Sequence, residues 1–247
     1  MTKKIIEKEI GIPPSYQYDA LNKASFLQSN WHRNKLSMLS KELGETSELE
    51  ILDLGTGSGN FELGFHDKVK SIVGIDYNDE ALEFLEKKLG EEDIKNIKLR
   101  MSDIRDLNKH TDLGQFDVII MMDVIEHIKF NEAKELLKKL KNFLKPGGRI
   151  IVITPNYKSS WMFLEWLLDK LSTLPILDGE QHLAKYHKKN LRAIFTNNGF
   201  REEKIFSFNL ISFIFPFKSI SQKICSLESK MNPPVGNLLM GIFKNDK

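Results

Sequence analysis

Apolar residues recur along this chain with a period that changes from one stretch to the next. Over residues 18–43, Leu21, Phe26, Leu27, Trp31, Leu36, Leu39 and Leu43 fall at roughly helical spacing, and Gly44 follows as a helix-ending glycine. The next hundred residues alternate. Short apolar runs at 49–54, 71–76, 97–101, 116–122 and 149–154 read as strands. Between them lie a short helix from Ser58 and a helix capped by Asn78 that buries Ala81, Leu82, Leu85 and Leu89. A third, over 131–144, lines Ala133, Leu136, Leu137 and Leu140 along one face and is stopped by Pro146-Gly147-Gly148. The run at 116–122 is almost unbroken, as in a strand covered on both faces. Five strands alternating with helices predict right-handed crossovers and a parallel, doubly wound sheet.

After Pro155 the pattern loosens. Residues 159–171 form an aromatic-rich helix candidate, and 188–197 another, ended by Asn198-Gly199. Residues 204–208 and 238–243 read as two late strands. Between them a helical stretch places Ile220, Ile224, Leu227 and Met231 on one face. The fold class expected is α/β: a mostly parallel, seven-stranded Rossmann-like sheet with a helical cap. Residues 1–44 form an N-terminal helical segment, and 45–247 one domain with cap segments at about 156–187 and 209–235.

Composition narrows the function. The chain has 36 basic and 34 acidic residues, a net charge of +2, which argues against a dedicated nucleic-acid binder. One cysteine, Cys225, allows no internal disulfide and favours a reducing, cytoplasmic setting. Charges near the start break up any signal-peptide core. The longest apolar stretch, 205–217, contains Ser207, Asn209, Ser212 and Pro216 and is shorter than the ~18 residues of a membrane span.

Candidate chemistry gathers at the carboxyl ends of the strands, where open parallel sheets bind ligands. Asp53-Leu-Gly55-Thr-Gly57-Ser-Gly59 supplies three alternating glycines, which permit tight turns and close approach of a ligand to the main chain. Asp76 ends the second strand, where a carboxylate can accept from both hydroxyls of a ribose, or simply cap the next helix. Asp103 and Asp123 follow the third and fourth strands, and four acids in register with four strand ends are a stronger signal than any one.

The motifs ILDLGTGSG, VGIDYN, MSDIRDL, FDVIIMMDVIEHI and LKPGGRIIVITPN together resemble the class I S-adenosylmethionine-dependent methyltransferases, strongly over residues 49–154. The resemblance implies S-adenosylmethionine as cofactor. Gly55, Gly57 and Gly59 would pack on its methionine and ribose, Asp53 would orient the amino group, and Asp76 would hold the ribose. Asp103 would contact adenine with Ile104 beside the ring, and Tyr77 and Asp123 complete the cofactor set. A nicotinamide or flavin enzyme is the rival, but it prefers G-x-G-x-x-G opening the chain. A catalytically silent adenosylmethionine-binding protein is a further alternative.

The transfer itself is an in-line displacement in which alignment supplies much of the rate. A phenolic acceptor, with a pKa near ~10, gains from a general base. His127, in Asp123-Val-Ile-Glu126-His127, is the first candidate, and His187 the second; His182 lies nearby, and His187 could instead cap the following helix. The same segment resembles the Glu-x-x-Glu-His stretch of quinone-biosynthesis O-methyltransferases, linked there to a divalent metal. Here the shorter Asp123 replaces the first Glu, and no metal is assigned. Trp31-His32-Arg33 is a candidate to close over the cofactor, or a solvated face around a packed Trp. The aromatic segments at 161–168 and 206–217 suit a small or lipid-like acceptor methylated at oxygen, a peripheral membrane contact with Lys158 and Lys218 near headgroups, or a homodimer.

Overall fold

The computed structural model describes residues 13–110, 112–159 and 182–246. Two helices, α1 (Tyr16–Asn22) and α2 (Phe26–Leu43), precede the sheet. Then come β1 (Glu50–Leu54), α3 (Asn60–Phe65), β2 (Ser71–Asp76), α4 (Asp79–Glu91), β3 (Ile97–Met101), β4 (Phe116–Met122), α5 (Phe130–Leu140) and β5 (Leu144–Pro155). The chain closes with α6 (Lys188–Thr196), β6 (Phe200–Phe208), α7 (Lys218–Met231) and β7 (Leu238–Asn245).

The strands form one sheet in the order β3-β2-β1-β4-β5-β7-β6, parallel except for β7, which runs antiparallel to β5 and β6. Reversal of order beside β1 puts a switch point at the ends of β1 and β4. The sheet buries both faces. One carries Leu136, Leu137 and Leu140 of α5 with Leu191 and Phe195 of α6. The other carries Met38 and Leu39 of α2, Phe61 of α3, Leu85 of α4 and Cys225 of α7. Burial on both sides explains why β1 and β4 read as near-continuous apolar runs.

Two expectations change. The helix expected over 18–43 is two, broken at Lys23-Ala24-Ser25, with Ser15 Oγ donating to Asp19 at the start of the first. Pro146-Gly147-Gly148 does not precede the fifth strand but lies inside it: pairing jumps from Phe116–Leu144 to Val118–Arg149, and the extra residues bulge out, Gly147 at φ 73°. One of the expected cap segments spans 209–235. It forms a one-turn 3-10 helix at Ser212–Ile214 and then α7, which packs on α2 within the helical layer. The rest of the other cap segment, 160–181, lies outside the described residues.

The apolar face of α7 points outward. Ser221, Cys225, Glu228 and Ser229 are buried, whereas Ile220, Leu227 and Met231 are exposed. The inward polar groups are satisfied. Asn34 Nδ2 of α2 donates to Asn209 Oδ1 at 2.8 Å and Ser221 Oγ at 3.1 Å. Glu228 accepts from the backbone N–H groups of Leu210, Ile211 and Ser212 at 2.8–3.0 Å. Asn232 ends the helix in the left-handed region at φ 52°, just ahead of Pro233-Pro234.

Candidate functional site

The glycine loop leaves β1 and turns into α3 with Gly55, Gly57 and Gly59 all at positive φ. Two of them are also sterically fixed: a Cβ on Gly55 would overlap Val124, and one on Gly59 would overlap Leu85. Asp76 anchors the loop. Its Oδ2 accepts from Gly57 N at 2.7 Å and its Oδ1 from Asn78 N at 2.8 Å. Burial raises its pKa, and the two N–H groups oppose that rise. Half-buried Tyr77 follows directly.

Beneath the loop lies a cavity of about 70 Å³ lined by residues including His32, Lys35, Asp53, Gly55, Phe61 and Asp123. Lys35, 2% exposed, reaches in from α2 and pairs with Asp123, which sits at φ 57° just past β4. His32 is held neutral by burial and by the Lys35 charge, its pKa well below the ordinary value. Asp53 and Glu62 form a second pair, of two buried acids. Burial lifts Asp53 to about 7, with the Asp76 charge adding, and lifts Glu62 well above the carboxylate range.

The N-terminal helices complete the site. Tyr18 N donates to Ser58 Oγ at 2.9 Å, Ser58 Oγ to Gln17 Oε1 at 2.9 Å, and Asn60 Nδ2 to Gln17 O at 2.8 Å. Of the 31–33 segment, His32 lines the cavity while Trp31 packs edge-on to Phe213 at 5.4 Å. Gln17 and Lys35 carried no sequence signal, because their partners lie far away along the chain.

Asp103 does cap, accepting from Arg105 N at 2.9 Å, and is also neutralised by the Arg105 guanidinium at 2.5 Å. Ile104 opens the 3-10 turn that follows and packs against the core. A second group of ionisable residues gathers beyond β4. His127 stands 5.1 Å, ring to ring, from His182, whose Nδ1 is hydrogen-bonded to Tyr157 Oη. Burial, and the neighbouring His127, lower His182 to about 4, so its ring is neutral at neutral pH. Glu126 is buried, accepts from Thr154 Oγ1 at 2.9 Å, and is raised to about 7 by burial. Donor atoms of Glu126, His127 and His182 lie within 4.8 Å of one another. Asp123 is not among them, being turned to Lys35. His187 caps α6, its Nδ1 accepting from Asn190 N, and is not one of the clustered donors.

Strand order, a glycine loop anchored by an acid at the end of β2, and a switch-point cavity define a nucleotide-type cofactor site on a doubly wound sheet. A family model described as a methyltransferase domain matches residues 45–209. The chain belongs to that family, the class I S-adenosylmethionine-dependent methyltransferases, and S-adenosylmethionine is its cofactor. It is 35% identical over 140 residues to EEF1A lysine methyltransferase 2 of Danio rerio, covering 53% of this chain and 58% of that protein. It is 30% identical over 147 residues to demethylmenaquinone methyltransferase of Lactococcus lactis, covering 58% and 56%. The chain thus spans a little over half the length of these relatives. Among solved structures, the PH0226 protein of Pyrococcus horikoshii shares the fold with a TM-score of 0.64 at 15% identity, covering 98% of this chain and all of that one.

Proposed function

We propose that this protein transfers a methyl group from S-adenosylmethionine to an oxygen of a small or lipid-like acceptor. The observation that carries the reading is the cavity at the ends of β1 and β4, lined by Asp53 and by the Lys35–Asp123 ion pair. Those groups suit the zwitterionic end of the cofactor: Asp53, once ionised, would hold the ammonium, and Lys35, exchanging Asp123 for the ligand, the carboxylate. Asp76 would accept from the ribose hydroxyls, its acceptor capacity being greater than the two N–H groups it already binds. When bound, S-adenosylmethionine supplies the sulfonium methyl.

His182 is the residue we assign as base. A neutral imidazole oriented by Tyr157 and backed by His127 can take a hydroxyl proton as the oxygen attacks. That need for a base favours oxygen over an amine, and the quinone-type relative supports an apolar acceptor, while the lysine methyltransferase relative supports a protein amine. A second reading rests on the Glu126–His127–His182 cluster, whose Glu126 Oε1 is buried without a hydrogen bond among the described residues. These donors suit a divalent cation, which would acidify the acceptor hydroxyl at the same place.

Calorimetric titration with adenosylhomocysteine tests the cofactor site. Wild type should bind, and Asp76→Ala should bind roughly ten- to hundredfold more weakly, having lost charged hydrogen bonds. A wild type that ignores adenosylhomocysteine overturns the reading. A labelled-methyl screen of lipid and aqueous extracts then tests the acceptor: His182→Ala should lose product while keeping adenosylhomocysteine affinity. Label on protein lysine would move the acceptor class to amines, and loss of product on chelation would select the metal reading.

A further inference from the structure

Helix α7 and the turn before it present apolar side chains to solvent in one continuous band. Phe217 is 65% exposed, Leu227 58% and Met231 79%, with Ile211, Ile214 and Ile220 also exposed. Residues 220, 224, 227 and 231 recur at helical spacing and so share one face. This is not the side the protein uses for packing, since the opposite side carries Ser221, Cys225 and Glu228 into the interior.

Charge says what covers the band. Lys223 and Lys230, one heptad apart, run along its edge, and Lys218 stands at its start, all exposed. Between residues 211 and 235 Glu228 is the sole acid, and at 7% exposure it is turned inward onto the 210–212 backbone. The surface is therefore apolar with a purely cationic rim. A second copy docking face to face would set lysine against lysine with no acid to pair them. An anionic bilayer matches both parts: the apolar band enters the headgroup–acyl boundary while the lysines meet lipid phosphates.

We propose that the α7 face, with the turn at 211–217, seats this protein on anionic membrane surfaces. The seat lies on the outer side of α2, whose opposite side supplies His32 and Lys35 to the cavity, and it does not depend on which acceptor is methylated.

Co-sedimentation of the full chain tests this, using phosphatidylcholine vesicles and vesicles of phosphatidylcholine with phosphatidylglycerol at about 2:1. Binding should require phosphatidylglycerol and weaken with salt. Leu227→Ser combined with Met231→Ser should weaken it roughly tenfold or more, the transfer worth of two large apolar side chains. Lys223→Gln with Lys230→Gln should weaken binding to the anionic vesicles as well. Both variants sit at exposed positions and should bind adenosylhomocysteine as wild type does, which separates a lost seat from a lost fold. Failure of wild type to sediment with either vesicle overturns the proposal, as does unchanged binding by the variants. So does a wild-type dimer that Leu227→Ser with Met231→Ser dissociates, or a photo-cross-link from position 227 to residues 160–181 that vesicles do not displace.

Discussion

Asp53 and Glu62 hold two carboxyl groups together in the interior beside the cavity. Both have folded-state pKa values above those of the unfolded chain, Asp53 at about 7. The folded protein therefore keeps protons that the unfolded chain releases. The stability this confers is fully present below the unfolded carboxylate range and is lost as pH rises through about 7. Glu62→Gln removes one acid and gives the ionised Asp53 an amide donor. We expect its melting midpoint to exceed that of wild type by about 3–8 °C at alkaline pH, with little difference in mild acid. Calorimetry at the two pH values decides; an equal shift at both would show that charge is not the cause.

The elements teach a different lesson, best seen in α7. Helical periodicity placed Ile220, Ile224, Leu227 and Met231 on one face, and they are there. It could not say which way the face points. That depends on whether the polar face can be satisfied inside, and Asn34 on α2 together with the backbone at 210–212 provides the partners. Glu228 is the centre of this arrangement. Glu228→Ala would strand three backbone N–H groups, while the Ser212 hydroxyl keeps Asn209 Oδ1, for a loss of about 2–4 kcal/mol in denaturant unfolding. Glu228→Gln should recover part of that loss, since one amide oxygen still accepts.

At the scale of the whole molecule, the five parallel strands and the loop acids were legible because each announces itself locally. An apolar run bounded by turns marks a strand covered on both sides, and an acid at its end marks the ligand edge. Contacts made only by folding were not. Gln17 seals Ser58 from 41 residues away, and Lys35 meets Asp123 from another layer. His182 rather than His187 joins His127 because Ala184 N binds Glu126 O and draws that stretch against the end of β4. Nothing in the spacing of the histidines distinguishes the two.

Cys225 lies in the seam between α7 and the rest of the fold, fully buried, its thiol pushed up to about 12 by burial, with Glu228 adding to the rise. A thiol so placed reacts only when the seam opens. Native protein should thus be alkylated at least about a hundredfold more slowly than urea-unfolded protein, and Glu228→Ala should narrow the gap, both followed by mass spectrometry. Prompt labelling of native wild type would show the seam to be open at rest. With a single cysteine in the chain, every alkylated molecule records one opening of one seam, so the sequence carries its own clock for how often the outer helix lets go.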